Sequence, residues 1–151
     1  MAVSERLMGG ISPHKAPQLK HVLDAALNDS DKTFTVPATK IWHLLLVGYT
    51  FTATATVGNR SVTIRIRDDA DATLFETRQS TNHTASEVRT GTAFTGFGSV
   101  PGILSVIEYA PLPSQLFLPA GFDIRVFDSN AIDAAADDLD VQIMVMEYVQ
   151  S

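Results

Sequence analysis

The sequence predicts an all-β fold: an antiparallel β-sandwich, jelly-roll-like, with an extended N-terminal arm. Three observations predict it. Val, Ile and Thr supply 37 of the 151 residues and Lys only 4, an enrichment in β-branched side chains that suit a pleated surface. Several short segments alternate apolar and polar residues with a period of two. Gly, Pro, Asn and Asp separate those segments at intervals that leave no room for βαβ units.

Taken in order, residues 1–17 carry Gly9, Gly10 and Pro13 with little periodicity. They form the expected arm, docked on their own domain or on a neighbour; residues 18–151 form one sandwich domain. Gln18–Leu27 reads as a strand, although Leu19, Val22, Leu23, Ala26 and Leu27 also fit helical spacing. Through Asn28–Asp31 it runs on toward Phe34 and Val36 like the first arm of a hairpin. From Tyr49 to Val57 the alternation is unbroken, with Phe51, Ala53 and Ala55 on one face and Thr50, Thr52, Thr54 and Thr56 on the other. Gly58-Asn59 is a candidate two-residue hairpin turn. It would place Ala55 opposite Val62, Ala53 opposite Ile64 and Phe51 opposite Ile66, so that inner residues meet inner residues, except at the terminal pair of an inner Val57 with Arg60.

Asp68–Asp71 reads as the next turn, before a short strand over Thr73–Arg78 and a weaker one over Glu87–Phe94. Further strands are expected at Ile103–Tyr109, at Gln115–Leu118, around Phe122, Ile124 and Val126, and at Leu139–Val149. Phe34–Ile41 and Leu116–Asp123 echo one another, each a strand, a Pro-Ala corner and a strand.

Composition narrows the function. Eleven basic against seventeen acidic side chains leave a net charge of 11 − 17 = −6, which disfavours nucleic acid and anionic membrane as partners. Cysteine is absent, which removes disulfides and thiolate chemistry. No run of about 18 apolar residues predicts a membrane span, and Met1–Arg6 lacks an apolar signal-peptide core.

The search for chemistry yields no catalytic residue, no cofactor and no metal. Of His14, His21, His43 and His83, only His21 has a carboxylate, Asp24, at ligand spacing. His43 reads as a core or interface histidine. No Gly-x-Ser-x-Gly elbow occurs, and Gly96, Gly98 and Gly102 lack the Lys-Ser/Thr of a phosphate loop. The acidic runs Asp68–Asp71 and Asp128–Asp140 read as solvated turns, with calcium the alternative.

Two strands look apolar on both faces. In Ile41–Val47, Ile41, Leu45 and Val47 share one face with His43, and Trp42, Leu44 and Leu46 the other. In Leu139–Val149, Met144, Met146 and Tyr148 lie opposite Val141, Ile143 and Val145. A sandwich has one dry face per sheet, so the second face needs a cover. Either loops and the arm supply it, or Trp42, Leu44, Leu46, Met144, Met146 and Tyr148 form a subunit interface.

The runs Val36-Pro37-Ala38-Thr39-Lys40-Ile41-Trp42-His43-Leu44-Leu45 and Thr54-Ala55-Thr56-Val57-Gly58-Asn59-Arg60, with Leu118-Pro119-Ala120-Gly121-Phe122-Asp123-Ile124-Arg125-Val126, resemble small β-sandwich virion structural proteins of tailed bacteriophages. Thr39 stands where those proteins usually carry Gly. The resemblance implies a jelly-roll-like virion protein without enzyme activity, assembled in the host cytoplasm. The expectation is a capsid decoration or cement protein that binds the major capsid protein or other virion proteins. It is expected to be a homo-oligomer, a trimer being one arrangement. A tail, baseplate or fibre component and a carbohydrate-binding module are the alternatives.

Overall fold

The computed structural model describes residues 16–78, 82–95 and 107–150; most of the expected arm, His14 and Gly96–Gly102 lie outside them. The described residues form ten strands and no helix. They are β1 (Gln18–Asp24), β2 (Asp31–Thr35), β3 (Lys40–Thr52), β4 (Val62–Arg67), β5 (Thr73–Arg78), β6 (Val88–Thr95), β7 (Ile107–Leu112), β8 (Phe117–Leu118), β9 (Asp123–Asp128) and β10 (Asp138–Val149). A six-stranded sheet runs β1-β10-β3-β6-β7 with β8 also on β3, and a four-stranded sheet runs β2-β9-β4-β5. All pairings of named strands are antiparallel except β6 with β7.

The order has a simple origin. One long antiparallel ribbon pairs β1 with β10, β2 with β9, β3 with β6 and β4 with β5, and it folds back at the β4–β5 turn. Rolled up, the ribbon places successive pairs in alternate sheets, which is the jelly-roll arrangement. At the fold-back, Asp68 N–H donates to Ala72 O at 3.0 Å, and Asp68 Oδ1 accepts from the Ala70 and Ala72 N–H groups.

The rolled ribbon overturns two expected hairpins. β1 and β2 lie in different sheets, and so do β3 and β4. The Gly58-Asn59 turn therefore joins no strand pair, and Phe51 and Ile66 enter one core from facing sheets instead of sharing a ladder. The cause is local chemistry after Thr52. Asp137 accepts the Thr54 N–H at 2.7 Å, and Asp133 accepts both the Thr54 and Thr56 hydroxyls at 2.8 Å. These bonds draw the chain out of the ladder. Arg60 then turns inward and pairs with Asp137, both fully buried. Its remaining N–H groups donate to Thr56 O, Gly58 O and Thr54 Oγ1. At the β1–β2 crossing, the buried Lys32 ammonium donates to Ala26 O at 2.9 Å and lies 3.1 Å from Asp29 and 3.4 Å from Asp24.

The two Pro-Ala corners sit side by side. Val36 N–H donates to Phe122 O and Gly121 N–H donates to Val36 O. Each corner closes in the same way, Lys40 N–H on Pro37 O and Phe122 N–H on Pro119 O. Gly121 has φ +87° and Thr39 φ +64°, so the threonine holds the left-handed position that glycine takes in the other corner, at a cost of about 1–2 kcal/mol.

The core lies between the sheets, with Phe34, Ile64, Ile66, Ile124 and Val126 from one and Leu44, Val47, Phe51, Leu139 and Ile143 from the other. The β3–β10 register shifts between Met144 and Val145, which pair with Leu46 and Leu44. Leu45 is the extra residue of that bulge, and a bulge reverses the inside–outside phase. Trp42 and Leu44 point inward before it, and Val47, Tyr49 and Phe51 after it.

Candidate protein-interaction face

The bulge divides the six residues expected at an interface. Trp42 and Leu44 are buried in the subunit's own core, so neither is available to a partner. Leu46, Met144, Met146 and Tyr148 are half-buried on the outer side of the six-stranded sheet. On β10, Met144, Met146 and Tyr148 continue the alternation set by the buried Val141, Ile143 and Val145.

Three neighbours that the sequence reading passed over extend this face. β1 pairs along β10 with Leu19 opposite Met146 and Leu23 opposite Gln142, and these leucines are 61% and 60% exposed. Phe117 on β8 is 46% exposed; its ring stacks on His43 at 4.4 Å between centroids and meets Tyr148 at 6.0 Å. Pairing across strands brings these rings together. The leucines were legible as alternation in β1, once that segment is known to be a strand on β10. Phe117 was not, because a two-residue strand carries no periodicity.

The charged side chains beside Trp42 turn away from this face. Trp42 Nε1–H donates to Glu147 at 2.8 Å, and the Lys20 and Lys40 ammoniums lie 3.2 and 3.3 Å from the same carboxylate. Burial works against the charge on Glu147, but the indole N–H and the two ammoniums more than offset it and hold the carboxyl below its usual range. Lys20 also lies 5.9 Å from the centre of the Trp42 ring.

Toward β6 the face becomes hydroxylic. A shallow recess of about 180 Å³ is lined by Leu23, Thr50, Thr90, Thr92, Asp140 and Gln142 among others. Asp140 and Tyr49 are the ionisable side chains among those lining it. Several of the acids weighed for calcium hold the protein's own donors. Asp128 accepts the Ser61 and Asn130 N–H groups, Asp137 pairs with Arg60, and Asp138 accepts the Asn28 N–H. The Thr54 and Thr56 hydroxyls hold the Asp133 carboxyl below its ordinary value. Among the described residues no group of three or more His, Asp or Glu side chains is placed to hold a metal ion.

No protein-family model matches the chain, and no curated protein matches it. Among solved structures, the arabinose-bound MgGH51 α-L-arabinofuranosidase is similar at 12% identity and a TM-score of 0.34, over 94% of this chain and 23% of the enzyme chain. The infectious bursal disease virus Gx strain is similar at 10% identity and a TM-score of 0.33, over 91% of this chain and 37% of the viral one. The chain thus spans well under half of either. Neither resemblance bears on the role of this chain.

Proposed function

We propose that this chain is a virion structural protein, a capsid decoration or cement protein that works by contact and not by chemistry. The observation that carries the reading is the outer face of the six-stranded sheet. Leu19, Leu23, Leu46, Met144, Met146, Phe117 and Tyr148 gather there, a combination of aliphatic, Met and aromatic groups that suits a protein interface. The Val-Pro-Ala, Val-Gly-Asn-Arg and Leu-Pro-Ala-Gly runs, similar to those of tailed-phage virion proteins, support the placement on a particle. Each 100 Å² of apolar surface covered contributes about 2.5 kcal/mol before ordering costs. Repeated over many copies, modest contacts would brace a shell.

The test is cosedimentation of the purified protein with expanded empty capsids assembled from a tailed-phage major capsid protein, with a glycan array and isolated tails in parallel. Binding to shells, lost in Met146→Asp, is the expected result. Binding to sugars or tails without shells overturns the decoration role.

A further inference from the structure

The sheet edges differ in how they guard against a second chain. An edge strand presents unpaired N–H and C=O groups, and proteins usually blunt it with charge, Pro or a bulge. β2 is blunted by Asp31, held by Arg125, and by the exposed Thr33 and Thr35. β5 carries Glu76 and Arg78, and its register against β4 shifts between Ile66 and Arg67. β1 has none of this. Its seven residues run in unbroken register along β10, and among the described residues its other edge meets no strand. Its one lysine, Lys20, leans inward onto Glu147, and Asp24 turns to the buried Lys32.

The β1 sequence is also self-complementary. In an antiparallel pair of two β1 strands centred on His21, Leu19 of each copy stands opposite Leu23 of the other. Lys20 stands opposite Val22 and Gln18 opposite Asp24, so no acid meets an acid and no lysine a lysine. Opposed side chains in such a pair share one side of the sheet, so the exposed leucines would cover one another. We propose that β1 is a homodimerisation edge, at which two copies pair β1 to β1 about a two-fold axis through His21 and join their six-stranded sheets into one. The two apolar outer faces then lie on the same side, as one surface of doubled extent. This step goes beyond the virion reading and does not depend on it.

The register makes the test specific. The full chain is followed by sedimentation equilibrium across micromolar concentrations, with hydrogen exchange of the β1 amides read alongside. The wild type is expected at twice the mass of one chain, with β1 protection rising with concentration. Leu19→Lys/Leu23→Lys sets lysine against lysine at both ends and is expected to give a monomer of unchanged circular dichroism, since both positions are exposed. Leu19→Lys/Leu23→Glu sets lysine against glutamate at both ends and is expected to restore the dimer. A wild type that stays monomeric overturns the proposal, as does a dimer that survives the double lysine variant or is not restored by the Lys/Glu pair. If a double variant is unfolded, the wild-type exchange decides: β1 protection independent of concentration overturns the edge. Shell binding by a monomer would sink the dimer and leave the proposed function standing.

Discussion

The two outer faces of the sandwich are built on the same pleat and have opposite characters. On the four-stranded sheet, Arg67 donates to both Asp123 oxygens at 2.9 and 2.7 Å and also meets Asp71. Arg125 pairs with Asp31, and Arg65 with Glu76 at 2.7 Å. The Arg65 and Arg125 guanidiniums also lie 4.7 and 4.4 Å from the centre of the Phe127 ring. The hydrogen bonds that Arg67 donates to Asp123 and Arg125 donates to Asp31 outweigh desolvation and raise the Arg67 and Arg125 pKa values. On the six-stranded sheet the outward positions are mainly Leu, Met, Phe, Tyr and Thr, with His21, His43, Gln142 and the acid Asp140 among them, and Lys20 and Lys40 each bind Glu147 beside Trp42. One face is neutralised by its own residues and requires nothing further. The other leaves apolar area exposed.

The largest effects should separate interior from face. Trp42→Ala empties a core site and should cost about 3–5 kcal/mol in the isolated subunit, read as a fall in denaturant midpoint. Met146→Asp should cost under about 1 kcal/mol there yet abolish shell binding. Equal losses from the two would merge face and core. Asp137→Ala should be as severe as Trp42→Ala, about 3–5 kcal/mol, because it strands the buried Arg60 charge. Arg60→Met/Asp137→Leu should recover most of that loss, and a double variant no better than the single would show the pair to be valued for its geometry.

These residues also mark how far the sequence could be read. Strand positions follow from alternation that the chain carries locally: β5 falls on Thr73–Arg78 as expected, and β10 begins one residue early. Partners do not follow, because the residues that decide them are distant. Val57 looks like an inner residue and Arg60 an outer one. In the fold Val57 is 89% exposed and Arg60 is buried, and the reason is Asp137. The face was half legible for a similar cause. Met144, Met146, Tyr148 and Leu46 follow period two. Trp42 and Leu44 were placed with them because nothing local announces the bulge at Leu45.

A smaller effect concerns pH. The Glu147 carboxyl is held below its ordinary 4.5 in the folded chain, as is that of Glu87, where burial is outweighed by bonds from Thr84 and Arg89. A depressed folded pKa contributes stability that is fully present above the unfolded value and is lost as pH falls through the folded one. Melting temperature should therefore decline as pH drops below about 4.5. Glu147→Gln, costing about 1.5 kcal/mol at neutral pH, should flatten that decline. An unchanged slope would mean that the carboxylate beside the apolar face gains nothing from Trp42, Lys20 and Lys40.

The smallest effect belongs to the charged face, and it is the sharpest control for the comparison. Arg125→Gln removes a partly exposed pair with Asp31, an interaction worth about 0–1 kcal/mol and weakened by salt. Its cost should shrink further in high salt, and shell binding should be retained. Glu76→Gln should behave alike. If either substitution released the protein from shells as Met146→Asp is expected to, the contact surface would lie on the arginine side of the sandwich. The apolar face would then need a different occupant, and a self-neutralised sheet would have proved able to dock through exchange of its ion pairs.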